Sequence, residues 1–204
     1  MVVWLVNGIY LAALAKVSAP LFWLADVCQW IFLPSALLIY LARKASLLPK
    51  HYGLDTAALR WQSPFIGTLM VFVTGGIAFY EAQKISWMLL GYPRGIFSFD
   101  LVFPAGLMGG VCRIYSAVTA GVVESIFFIG LPWLLYRHIR TDASTQAFSA
   151  LVSIVFALAH WEQGPHVVIG AGCFNLVACF WCFRLGSLWP VVTGHLLIDL
   201  VAFA

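Results

Sequence analysis

The sequence predicts an all-α fold, a polytopic bundle of transmembrane helices, and three observations carry that reading. Of 204 residues, 63% are hydrophobic and only 9% are charged, against about 25% charged and 45–50% apolar in soluble domains. Apolar runs approach the ~20 residues that one helix needs to cross about 30 Å of hydrocarbon. Lys and Arg gather in short segments between those runs, as in loops kept on the cytoplasmic side. Too little polar surface is available to cover a water-exposed globule. A soluble enzyme, a disordered chain and a nucleic-acid binder are therefore excluded. The net charge of +3 reports orientation rather than an acidic partner.

Each element follows from its run. Val2 to Ala15 is apolar but short, so it spans only with help or lies partly in the interface. It lacks a basic leader, and Pro20 follows the one small-residue candidate, Val17-Ser18-Ala19, so the stretch reads as retained rather than as a signal peptide. Leu21 to Leu41 is long enough to span, with Pro34 as an expected kink. A basic loop holding Arg43, Lys44, Lys50 and Arg60 follows, then a span from Phe65 to Ala82. From Ile85 to Gly110 the run is broken by Gly91, Pro93, Arg94, Asp100 and Pro104, and reads as interfacial or re-entrant. Ile114 to Tyr136 is a clear span, closed by Arg137, His138 and Arg140. Ala147–Trp161, Val167–Phe183 and Leu188–Phe203 complete about seven spans, with six and eight also consistent. No internal repeat or linker divides residues 1–204, so one membrane domain is expected.

Placing the basic segments 43–60 and 137–142 inside requires an even number of crossings between them. Phe65–Ala82 and Ile114–Tyr136 supply two, Arg184 then also falls inside, and the C-terminus lies outside. Trp23, Trp61, Trp87, Trp161 and Trp189, near span ends, fit an interfacial belt. Five cysteines lie scattered in apolar runs, an odd number that argues against a disulfide framework. Cys179 and Cys182 form a C-x-x-C within a lipid-length run, and read as small apolar residues of a helix.

The ionisable groups deep within apolar runs point to a function. Most charges sit at span ends, where long side chains snorkel. Glu124 does not: it lies near the middle of the clearest span. A carboxylate at the bilayer centre costs at least ~2.5–3.5 kcal/mol, so it must face the bundle interior and a partner there. His195 and Asp199, four apart, share one face of the last span. His160 closes the run Phe156-Ala-Leu-Ala-His160, and Asp26 is a fifth candidate near the start of its span. Any of these alone could be an interhelical hydrogen bond. Together, two imidazoles and two carboxylates can activate water and polarise a carbonyl, bind a divalent metal, or relay protons. Neither an H-E-x-x-H nor a G-x-S-x-G motif is present.

These motifs resemble the CPBP family of intramembrane glutamic proteases, the CAAX-protease and bacteriocin-processing (Abi) group. Its signature is E-E-x-x-x-R, then F-x-x-x-H, then H-x-x-x-N or H-x-x-x-D. Phe156–His160 matches the second motif and His195–Asp199 the third. The first is degenerate: Glu124 takes the first Glu, Ser125 replaces the second, and Ile129 stands where Arg is expected. The motifs follow in order, about 35 residues apart, within a core of residues 115–204. Joint loss of the second Glu and the Arg leaves no lone buried charge. The resemblance implies an intramembrane endopeptidase. Glu124 would be the base that activates water with help from His160, His195 would donate to the oxyanion, and Asp199 would support it.

The implied partners are a membrane-associated protein or peptide substrate and the lipid bilayer, with no nucleic acid. No cofactor is required, and the expected setting is a bacterial cytoplasmic membrane, the site facing its outer side. Three other readings stay open. One is the same site carrying a divalent metal. Another is a non-catalytic relative acting in immunity or as a partner-binding scaffold, which Ser125 and Ile129 keep alive. The last, a small transporter, lacks the expected paired half-helices.

Overall fold

The computed structural model describes residues 2–55, 62–92, 94–139 and 144–204. Arg60, Trp61, Pro93 and Arg140, used above, lie outside the described residues. Among the described residues there are seven principal helices: α1 (Val2–Val17), α2 (Ala19–Ala45), α3 (Pro64–Leu90), α4 (Gly106–Arg137), α5 (Thr145–Leu158), α6 (Pro165–Leu185) and α7 (Trp189–Ala202). No strand occurs among the described residues. Four of the seven, α2, α3, α4 and α6, are long and apolar enough to cross a membrane.

The helix ends follow ordinary capping chemistry. Ser144 accepts a hydrogen bond from Ala147 N–H at the start of α5. Prolines open α6 and α7, where a missing N–H is harmless. Left-handed Gly91 closes α3 (φ 71°) and Gly186 closes α6 (φ 65°). The span expected to end at Ala82 therefore runs to Leu90, because nothing before Gly91 stops it. Its polar residues partition by face: Glu81 and Lys84 pair on the exposed side at 3.8 Å, while Gln83 and Ser86 are buried.

The segment expected to be interfacial or re-entrant resolves into three parts. Its beginning belongs to α3, its end to α4, and residues 94–105 lie in the connection between them. That connection folds onto the corner after α5. The N–H groups of Ile96 and Phe97 donate to the Glu162 carbonyl at 2.7 and 3.1 Å.

Three helices contain wide π-helical stretches: Cys28–Phe32 in α2, Val71–Gly75 in α3 and Ala120–Gly130 in α4. The first lies directly before Pro34, where a kink is expected. The proline ring cannot coexist with a regular turn behind it, and the extra residue of a π turn relieves the clash.

The core sits in the C-terminal half. Phe128 packs edge-on against Phe156 at 5.3 Å, and Trp4 of α1 lies 5.0 Å from Phe127. Helix α7 is the central element, burying Pro190, Val191, Val192, Gly194, His195 and Ile198. At 14 residues it is about 21 Å long, short of the full hydrocarbon thickness. It touches α3, α4 and α6. Cys179 and Cys182 are fully buried free thiols in α6, in keeping with their reading as small apolar residues.

Candidate active site

Glu124 lies within the π-helical stretch of α4, where nearly every residue is buried. What brings α4 against α7 is Gly121, one turn earlier. A Cβ there would stand 2.9 Å from the backbone nitrogen of Leu196, so the two backbones touch directly. His195 is Leu196's neighbour and thus meets the next turn of α4. His160 sits just beyond the end of α5, where its Nδ1 lies 2.9 Å from the Phe156 carbonyl. A carbonyl only accepts, so Nδ1 carries a proton and Nε2 points the other way, toward Glu124.

The three groups converge. Glu124 Oε2 stands 3.7 Å from His160 Nε2 and 3.7 Å from His195 Nε2. These separations exceed a direct hydrogen bond, and suit a small molecule seated among the three groups. All three side chains are largely buried, and the rings of Phe156 and Phe174 pack against the imidazoles at 4.7 and 4.5 Å. Water-poor surroundings of this kind strengthen every charge interaction inside them.

Asp199 joins the cluster, although not behind His195. Its Oδ2 lies 3.4 Å from Nε2, the nitrogen that also faces Glu124. Asp199 therefore does not stand on the far side of the ring, at Nδ1. That position is taken by Ser125, whose Oγ is 3.4 Å from His195 Nδ1. The residue that replaces the expected second glutamate therefore contacts the site directly. Ile129, in the expected arginine's place, is buried among apolar neighbours.

A cavity of about 970 Å³ opens onto these groups, lined by Glu124, His160, His195 and Asp199. Asp26 lines it as well, but its carboxylate accepts from the Tyr115 hydroxyl at 2.9 Å. Asp26 thus stands in the wall rather than in the acid–imidazole cluster. Sequence reasoning passed over one acid on this wall, Glu162. It is buried, its Oε2 has no hydrogen-bond partner among the described residues, and burial raises its carboxyl pKa. The signal was an acid two residues after a motif histidine. It was hidden because a charge at the end of a run reads as solvated. Among the described residues, no set of three or more His, Cys, Asp or Glu is arranged to hold a metal ion.

Fold and site together define an integral membrane protein of apolar helices that encloses a buried acid–imidazole centre. Residues 106–201, just under half of the chain, match the family model for type II CAAX prenyl endopeptidase, Rce1-like. Over this segment the chain is similar to the CAAX-type intramembrane proteases that the model describes. The match contains all three motifs. No curated protein and no solved structure matches the chain.

Proposed function

We propose that the protein hydrolyses a peptide bond of a membrane-associated protein or peptide, with Glu124 as general base. The observation that carries this reading is the equal 3.7 Å reach from Glu124 Oε2 to two imidazoles on two other elements. A water among them loses a proton to Glu124 as its oxygen attacks the scissile carbonyl. His160, fixed by the Phe156 carbonyl, orients that water. His195 Nε2–H donates to the oxyanion, and a Ser125 hydroxyl proton directed at Nδ1 holds the tautomer that makes this donation available. The proton on Glu124 then passes to the departing amine, so the carboxylate is regenerated.

Asp199 Oδ2, 3.4 Å from the same nitrogen, steadies the Nε2–H from beside the ring. The proposed setting is a bacterial cytoplasmic membrane, with no resident metal in the reaction. Cleavage of a membrane-anchored reporter by the purified chain in nanodiscs tests the reading. Glu124→Gln should abolish the product, and a strong chelator should leave it intact. Product that persists in Glu124→Gln overturns the base assignment. Loss in chelator would transfer the same residues to a divalent-metal mechanism. Ser125 and Ile129 support one competing reading, a non-catalytic binding protein, in which neither the intact chain nor any variant cleaves.

A further inference from the structure

One face of α4 lines the cavity. Arg113, Ser116, Ala120, Glu124 and Phe128 fall on it at spacings of three and four, the repeat of a single helical face. Glu124 has its imidazoles. Arg113 has no ion-pair partner among the described residues. Its Nε is buried and makes no hydrogen bond among them.

The guanidinium is nonetheless held in place. It sits over the Phe103 ring at 5.5 Å, and that ring stacks on Trp23 and Phe99. An aromatic ring occupies only the face of a guanidinium, whereas its N–H donors lie in the plane. The contact therefore fixes the cation and leaves the in-plane donors for another partner. A cation within a membrane span marks a ligand or ion path by default, and an orphaned buried donor is a costly group to keep without one.

We propose that Arg113 docks an oxyanion, a carboxylate or a phosphate, carried into the cavity by the guest that fills it. A planar fork of donors matches either group in bidentate fashion. Eleven residues separate Arg113 from Glu124, at most about 16 Å along the helix. Roughly five residues of extended peptide cover that distance. A peptide cut beside Glu124 would thus place a carboxylate a few residues away on Arg113, whereas a lipid would place its phosphate there. The peptide source rests on the protease reading; the docking itself does not.

Binding in nanodiscs tests this without any cleavage, so a chain that hydrolyses nothing can still pass. An apolar fluorescent peptide with a free C-terminal carboxylate is compared with its amide, in the Glu124→Gln background. With phosphatidylcholine alone, adding Arg113→Gln should weaken the acid peptide about 10- to 100-fold and leave the amide unchanged. If instead Arg113→Gln alters neither peptide but loses phosphatidylglycerol that otherwise survives purification, the oxyanion is a lipid phosphate and docking still holds. A folded Arg113→Gln variant unchanged in both measurements overturns the proposal. Should that variant not fold, the chain with Arg113 intact decides. Equal affinity for acid and amide, with no retained phosphatidylglycerol, overturns it equally.

Discussion

The two halves of the chain are built from the same apolar material and treat it differently. In α2 and α3 only 17% of the most hydrophobic stretch is buried within the protein, against 50% in α4 and 39% in α6. The first half spends its apolar surface on lipid, while the second turns it inward around polar groups. The inward-turned half carries the three motifs and the family match. The first half contributes walls, through Trp4, Asp26 and Gln83, to a cavity whose chemistry comes from the second.

That contrast can be broken most sharply at Glu124. Glu124→Gln should lower cleavage by about 10²–10⁴-fold while membrane insertion and helix content stay unchanged. His195→Ala should cost about 10²–10³-fold, the usual effect of removing an oxyanion donor. An intact rate in that variant would remove His195 from the mechanism. Gly121→Val comes next. Its side chain would meet the Leu196 backbone, and overpacking of this kind costs about 1–3 kcal/mol. The measurement is thermal unfolding, with activity falling alongside because α7 must shift.

Glu162→Gln should change the rate only several-fold, since its carboxyl stands in the wall and reaches the chemistry through His160. An effect as large as that of Glu124→Gln would make it a direct participant. The smallest effect belongs to the lipid-facing half. Leu89→Ala, at a residue 78% exposed, should move stability by no more than about 0.5 kcal/mol. A large loss there would mean that this face is covered by protein in the assembled molecule.

How much of this was legible beforehand depends on which physical signal each feature leaves. Apolar length is written directly in the residues, so α5, α6 and α7 fall close to their runs, whereas α4 begins at Gly106, before the expected Ile114. Helix ends are set by local stops, and overlooking Gly91 as the stop ended one span at Ala82 rather than Leu90. Glu124, His160, His195 and Asp199 stood out because charge is expensive in lipid. Their convergence depends on Gly121, which looks like any other small residue in a membrane helix. The width of the α4 stretch leaves no compositional trace, and so the contact from Ser125 to His195 could not be foreseen. Glu162 and the folding of 94–105 over it are long-range arrangements, which neither periodicity nor motif spacing encodes.

Those two amide hydrogen bonds from Ile96 and Phe97 to the Glu162 carbonyl have a mechanical implication. They tie the connection that lines the cavity to the same short corner that holds His160. Any displacement of Ile96 and Phe97 must strain both bonds, and two peptide units separate their acceptor from the histidine. Deuterium uptake at those two amides reads directly whether this tie between the cavity lining and the histidine's corner stays closed.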